Sequence, residues 1–507
     1  MLARALAATP WGIEARPVEV EVDVRLGLPQ MQLVGLPDAA VRESRERVRA
    51  ALRHSGFELP PRSVVVSLAP ADLRKEGNHL DVAIAVGLLA ALGQLPLDVL
   101  EGRLLAGELG LDGSLRPIRG ALAFADLASR IGVSELLLPA AVAAQAALRR
   151  GPRVIGVPNL AALVAHLKGE EPLPETLPAD LDGTDRRSGV LDLADVRGQA
   201  SAKRALEIAA AGGHNLLLIG PPGSGKTMLA RRMPGLLPPL ALDESIEVTK
   251  VHGMVSDDPL SRLITTRPFR SPHSSTSEAA LVGGGSQPRP GEASLAHHGV
   301  LFLDELPEFR REALEALRQP LEDGEVSICR ARARMRFPAR FALVAAMNPC
   351  PCGHLGDPRT ECRCNPHAVE RYRARISGPL LDRIDLHVEV GPLPLADLKA
   401  PSGESTVVVA RRVEAARSRQ RERFTSTGGP PVNARMSPAA MREHCALDDT
   451  GQRLLDQAYE RLGLSARALD RVLKVARTLA DLEGSDALRP AHVAEAIQYR
   501  ALDRRLR

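Results

Sequence analysis

Four consecutive apolar residues, Leu216 to Ile219, run straight into Gly220-Pro221-Pro222-Gly223-Ser224-Gly225-Lys226-Thr227. An apolar residue at every position fits a strand buried on both faces of a parallel sheet. The Gly-x-x-x-x-Gly-Lys-Thr behind it is a phosphate-binding loop. Its glycines let backbone N–H groups close around phosphate oxygens. The helix predicted to begin near Lys226 turns its positive end toward the same anion. Lys226 is expected to neutralise the β- and γ-phosphates of ATP, and the Thr227 hydroxyl to ligate Mg²⁺. The chain has seven lysines against 59 arginines, so a lysine at this position stands out. A compact ammonium suits a nest of phosphate oxygens.

The rest of such a site is legible downstream. Val300-Leu301-Phe302-Leu303 reads as a core strand ending in Asp304 and Glu305. Asp304 is expected in the Mg²⁺ shell and Glu305 as the base that polarises the attacking water. A third strand, Phe341 to Ala346, ends at Met347-Asn348-Pro349, where Asn348 is expected to hold that water against the γ-phosphate. Gly378-Pro-Leu-Leu-Asp-Arg383-Ile-Asp-Leu reads as a helix end entering a strand. Arg383 is the candidate arginine finger, which stabilises charge on the transferred phosphoryl group. By analogy with related ATPases, Val196 to Gln199 would line the adenine pocket.

Length and composition set bounds. At 507 residues the chain has room for about three domains. We expect an N-terminal domain over 1–170, a Pro-, Asp-, Glu- and Gly-rich linker over 171–190, an ATPase core over 191–395 and a helical lid over 396–507. In the first, Val18 to Val24 alternates apolar and charged residues as a half-buried strand does. Asp38 to His54 reads as a helix whose five arginines form a solvated face. In the last, helices are predicted over 405–423, 437–444, 449–462, 466–483 and 489–501. Aromatic residues make up 2% of the chain, so base stacking cannot be the main device for holding nucleic acid. The longest apolar run, Val82 to Leu92, is too short to cross a bilayer. Residues 1–11 lack the apolar core of a secretory signal. A cytoplasmic protein without a membrane partner is expected, its six cysteines reduced unless a metal holds them.

Two clusters remain. Val326 to Arg340 carries Arg330, Arg332, Arg334 and Arg336 alternating with small or apolar residues. On a hairpin, period two is expected to bring these arginines to one face, where they would grip phosphates without reading sequence. Cys350-Pro-Cys352 and Cys362-Arg-Cys364 place four cysteines within fifteen residues, flanked by His354 and His367. In a reducing compartment this favours a tetrahedral, structural Zn²⁺ over disulfides. Cys329 and Cys445 look incidental. Val255 to His298 is a long insertion of the kind that usually carries function.

The order of phosphate loop, Asp-Glu strand, Asn strand and Leu-Asp-Arg resembles an AAA+ ATPase of the magnesium-chelatase-like group. More narrowly, five stretches resemble the YifB/ComM family: Gly35 to Asp38, Leu68 to Lys75, Gly220 to Ala230, Gly299 to Phe309 and Ile376 to Val388. The resemblance implies an α/β chain in three parts. These are an α+β N-terminal domain like that of Lon protease, an AAA+ P-loop core and a C-terminal helical lid. It implies a homohexameric helicase that hydrolyses ATP, acts on single-stranded and branched DNA, and drives branch migration in natural transformation beside other recombination proteins. The arginine hairpin sits where similar helicases project one into the ring channel, and Arg467 matches the residue that touches the γ-phosphate from the lid, with Arg471 its rival. The Lon-type nucleophile and lysine would fall near His79 and Ala121, which are neither Ser nor Lys, so no peptidase activity is expected. The runner-up function is a chelatase-type chaperone ATPase that remodels a protein partner.

Overall fold

The structure, a computed structural model, describes residues 1–179, 191–256, 262–285, 288–330, 333–394, 396–397, 401–425 and 432–500. It divides into two compact units, Met1–Thr184 with Ser245–Ile264, and Asp185–Glu244 with Thr265–Arg507.

In the first unit a seven-stranded sheet runs in the order Gln30–Val34, Ser63–Ala69, Glu14–Arg25, Leu2–Trp11, Arg103–Leu105, Glu135–Pro139, Arg153–Val157. Leu2–Trp11, Glu14–Arg25 and Ser63–Ala69 pair antiparallel. From Leu2–Trp11 outward the pairing is parallel. The alternation read in the sequence is what buries one face: Val18, Val20 and Val22 are fully buried. Against that face lies the helix Asp81–Ala91, which is buried on all sides because its residues are small or apolar all round. Close approach needs Gly87, where an added Cβ would stand 2.9 Å from Val22 Cγ2.

Asp81 opens this helix with no exposed surface. It accepts hydrogen bonds from Ser44 Oγ, from Arg47 Nε at 2.8 Å and from the Leu109 amide at 3.2 Å. Arg47 is therefore not part of a solvated face, unlike Arg42, Arg45 and Arg53 on the same helix, Ala39–His54. Its guanidinium compensates a buried carboxylate, an interaction between residues 34 apart that helical spacing does not reveal.

One stretch inside the expected ATPase core, 191–395, is also used differently. Ser245–Ile264 leaves the second unit and joins the first. Ile246 packs with Leu122 and Leu148, and Lys250 pairs with Asp126 at 2.5 Å.

The second unit is built on a five-stranded, all-parallel sheet in the order Phe269–Arg270, Val300–Leu303, Ala342–Met347, Leu216–Ile219, Leu386–Glu389. Asn215 ties three strand entrances together. Its side chain donates to Arg383 O at 2.8 Å and accepts from the Leu343 amide at 3.0 Å. The edge strand Phe269–Arg270 lies inside the segment read as an insertion, and at two residues it is too short to show a period.

The C-terminal helices Thr406–Thr425 and Ala466–Leu482 share most of their core with the sheet. Val409, Val413, Val472 and Val475 join Ala205, Leu206, Leu216 and Val344 in one apolar cluster. A polar bridge runs beside it. His214 contacts Asp385 at 3.2 Å and Thr478 at 2.8 Å, and Arg471 pairs with Asp385. Burial alone would raise the Asp385 carboxyl; the Arg471 guanidinium and His214 hold it well below the usual range.

Replacing Asp81 with Ala leaves Arg47 facing a buried hole without its counter-charge. Urea unfolding of the Asp81→Ala protein should show a loss of about 3 kcal/mol in the first unit. A change under about 0.5 kcal/mol, the range of ordinary surface substitutions, would contradict this account.

Candidate nucleotide site

The loop after Leu216–Ile219 can form only because of its glycines. Gly223 and Gly225 adopt φ of +74° and +92°, a region closed to most side chains. An ideal Cβ at either would meet nothing within 4 Å, so the space over the loop is open to a phosphate chain. At Gly220 the constraint is contact instead, with a Cβ 2.1 Å from Val390 O. Lys226 is 8% exposed. Its Nζ donates to Gly220 O at 2.7 Å, Pro221 O at 2.9 Å and Asn348 Oδ1 at 3.3 Å. Burial lowers its pKa; the negative charges of Asp304 and Glu305 oppose that shift. The Ser224 hydroxyl is buried without a partner. Gln199, at φ +54°, donates to Gly391 O at 2.7 Å and to Ser224 O at 3.4 Å. The Val196–Gln199 segment thus abuts the phosphate loop.

The two acidic residues sit at the C-terminal end of Val300–Leu303, the edge where open α/β sheets place ligands. Thr227 Oγ1 donates to Asp304 Oδ2 at 2.7 Å. This brings a hydroxyl and a carboxylate together as hard oxygen ligands, the donor set Mg²⁺ takes beside phosphates. The donors present therefore fit Mg²⁺ and a triphosphate. Asp304 Oδ1 accepts from the Glu305 amide at 2.9 Å. Glu305 has φ +51°, a strained conformation for glutamate that costs about 1–3 kcal/mol and is characteristic of functional positions. Its carboxylate is exposed and has no hydrogen-bond or ion-pair partner among the described residues.

Arg383 binds an acid, Glu322, that the charge of Arg467 also reaches. Arg383 is 6% exposed. It pairs with Glu322 at 2.6 Å and donates to Pro379 O at 2.7 Å, while its Nε is buried without a partner. Neither Asp382 nor Asp385 is the acid it pairs with. Glu322 is held below its usual pKa by the hydrogen bond from Arg383, with the charges of Arg467 and Arg318 adding to it. Arg467 is exposed in the first turn of Ala466–Leu482 and makes no hydrogen bond or ion pair among the described residues. Arg471 is committed to Asp385.

The predicted hairpin exists. Glu325–Arg330 and Ala333–Pro338 pair antiparallel, with Val326 opposite Phe337, Ser327 opposite Arg336 and Ile328 opposite Met335. Residues directly opposite share a face. Ser327 and Arg336 therefore share one face, and Val326, Ile328, Met335 and Phe337 the other. The side chains of Arg330, Arg332 and Arg334 lie outside the described residues.

Cys350, Cys352, Cys362 and Cys364 bring their Sγ atoms within 4.8 Å of one another. His354 is not among these ligand atoms; it pairs with Asp357 at 3.4 Å, and His367 contacts Glu370 at 3.9 Å. The amide N–H groups of His354 and Arg363 pull the Cys352 thiol down to about 6. Cys362, in spite of the Cys364 amide, is pushed up to about 12 by desolvation and by hydrogen bonding with Cys352 and Cys350. At the position where a Lon-type nucleophile would fall stands His79, a fully buried ring against Phe124 whose Nε2 has no partner and whose pKa is driven down to about 4 by burial.

A phosphate loop and a Thr–Asp pair on the C-terminal edge of a parallel sheet define a P-loop nucleotide site, and known proteins give its kind. Residues 192–398 match the family described as magnesium chelatase, subunit ChlI; residues 20–142 match subunit ChlI of Mg-chelatase, and 403–500 the ChlI C-terminal family. The YifB protein of Salmonella typhimurium is 46% identical over 498 residues, 98% of this chain and 96% of that protein. The competence protein ComM of Haemophilus influenzae is 45% identical over 509 residues, 100% of this chain and 98% of that one. The magnesium-chelatase 38 kDa subunit of Rhodobacter capsulatus is 26% identical over 340 residues, 63% of this chain and 88% of the subunit. The chain belongs to the YifB/ComM family of magnesium-chelatase-like AAA+ ATPases.

Glu305→Gln removes a base without disturbing the phosphate contacts. It should bind ATP with affinity within about twofold of the parent while kcat falls about 10²–10⁴-fold. Lys226→Ala should lose ATP binding itself. Equal loss of binding in both variants, measured by nucleotide titration, would contradict the roles assigned.

Proposed function

We propose that this chain is the protomer of a homohexameric ring that uses ATP hydrolysis to move on single-stranded and branched DNA. In this reading it is a helicase that promotes branch migration of recombination intermediates in the cytoplasm, as in natural transformation. The observation that carries the motor part is the convergence of Lys226, Asn348 and the Thr227–Asp304 pair at the ends of three adjacent parallel strands. The competence name of the ComM relative supports the DNA part. Among the described residues, no helix is long and apolar enough to cross a membrane.

Within the ring, Glu305 activates water, Asn348 orients it and Arg467 senses the γ-phosphate from the helical lid of its own chain. Arg383 leaves Glu322 to reach the nucleotide of a neighbour. Holding Arg383 on an acid in the single protomer keeps a buried guanidinium neutralised until that phosphate replaces the carboxylate. The hairpin Glu325–Pro338 contacts DNA backbone through Arg330, Arg332 and Arg334. The N-terminal unit, Lon-like and lacking Ser and Lys at the expected positions, serves as a collar for DNA or for recombination proteins. Zn²⁺ in the cysteine cluster is a structural cofactor beside ATP and Mg²⁺.

The match to the Rhodobacter capsulatus subunit favours a second reading, a chelatase-type chaperone that remodels a protein partner. Hydrolysis rates with and without forked or four-way DNA separate the two. The DNA motor predicts stimulation of several-fold, migration of the junction, and loss of both in the Arg332→Ala/Arg334→Ala double variant with basal hydrolysis retained. Hydrolysis indifferent to DNA, together with an unmoved junction, would favour the chaperone.

A further inference from the structure

The turn that carries two of the clustered cysteines packs, at Gly353, against Pro222 of the phosphate loop. Cys350 Sγ stands 3.4 Å from Cys352 Sγ and 3.7 Å from Cys362 Sγ, and Cys352 Sγ stands 3.7 Å from Cys362 Sγ. Four thiolates at about 2.3 Å from one Zn²⁺ place sulfurs about 3.8 Å apart at the corners of a tetrahedron. The cluster already has that size. Nearby backbone amides act on its thiols: those of His354 and Arg363 lower the pKa of Cys352, and that of Cys364 works in the same direction on Cys362. Amide donors around thiolates are the outer shell that orients such ligands. All four cysteines are free thiols.

The turn that carries the first two ligands joins the nucleotide site at both ends. Asn348 lies two residues before Cys350. Gly353 follows Cys352 at φ +85°, and its amide donates to Cys350 O at 3.0 Å. A Cβ at Gly353 would stand 2.6 Å from Cδ and 2.8 Å from Cγ of Pro222, and 3.9 Å from Cγ of Asn348. The backbone of the turn therefore rests on the proline ring of the phosphate loop, beside the residue that orients the lytic water. From the far side Arg373 Nη2 donates to Pro349 O at 3.2 Å.

We propose that Cys350, Cys352, Cys362 and Cys364 bind one Zn²⁺ and that this metal is a clasp for catalysis: it fixes the Cys350–Gly353 turn, and the turn sets Pro222 and Asn348 against the triphosphate. The clasp rests on the ATPase reading of the site. The metal touches no substrate, so its ligands and Gly353 are positioning residues. Two surfaces explain why the turn must be stiff. On one side it closes a tetrahedral knot, and on the other it meets a loop whose glycines give it no stiffness of its own.

The test begins with the full-length protein as purified. Elemental analysis should find near one zinc per chain, released by a mercurial that titrates thiols. Iron in its place, or no metal at all, would overturn the proposal. Gly353→Ala keeps every ligand, so it separates metal binding from the clasp. It should retain zinc and the parent's melting temperature within a few degrees, keep ATP affinity within about threefold, and lose about 10²-fold in kcat, the cost of an ångström-scale misplacement. Cys362→Ser should lose zinc and show the same fall in kcat. Should that variant not fold, zinc release from the intact protein by the mercurial, followed over time against hydrolysis, gives the same reading. Unchanged kcat in Gly353→Ala, or full activity after zinc has left, would overturn the clasp while leaving the zinc site. A parent protein that holds zinc but neither binds nor hydrolyses ATP would instead overturn the ATPase reading on which the clasp rests.

Discussion

The site depends on a buried ammonium that has no carboxylate of its own. Lys226 is satisfied by two loop carbonyls and the Asn348 amide oxygen, all neutral acceptors. Burying a cation on neutral partners is costly, and the lowered pKa of Lys226 records that cost. The negative charges of Asp304 and Glu305, which are near but not bonded to it, oppose that shift. A triphosphate entering over the open glycines supplies the missing counter-charge at short range. Asp304, already bonded to Thr227, is then free to face a Mg²⁺ ion. On this account anion and metal would be recognised together, each removing a charge imbalance that the other leaves.

Sheet order makes the convergence possible. Leu216–Ile219 lies between Ala342–Met347 and Leu386–Glu389, and Ala342–Met347 lies beside Val300–Leu303. Parallel pairing sends all their C-terminal ends to one edge, so the loop, Asn348 and Asp304 meet without any long reach. At the opposite end Asn215 binds the entrances of neighbouring strands. The helix Ala466–Leu482 is coupled to the same region through Arg471, Asp385 and His214. Motion of that helix would thus be felt at Arg383, two residues from Asp385, and at Arg467, one turn from Arg471.

Much of this was legible because its links are local. A four-residue apolar run, a glycine loop and a lysine lie within twelve residues, and the Asp304 and Asn348 strands repeat the same apolar pattern. Most helix limits of the C-terminal segment also follow from caps, as Ser437, Asp448 and Ser465 show by accepting from the first turn of their helices. What was not legible depends on partners distant in sequence. Glu322 holds Arg383 from 61 residues away and Asp81 holds Arg47 from 34. Ser245–Ile264 joins the first unit through Ile246 and Lys250, a choice made by tertiary contact alone.

Calorimetric titration of the full-length protein with a non-hydrolysable ATP analogue, in the presence and absence of Mg²⁺, tests the central claim most directly. If the buried ammonium and the Thr227–Asp304 oxygens act as one site, binding saturates near one nucleotide per chain and strengthens at least tenfold when Mg²⁺ is present, about 1.4 kcal/mol. Affinity that is the same with and without the metal would contradict a shared charge balance, and no binding would remove the site altogether.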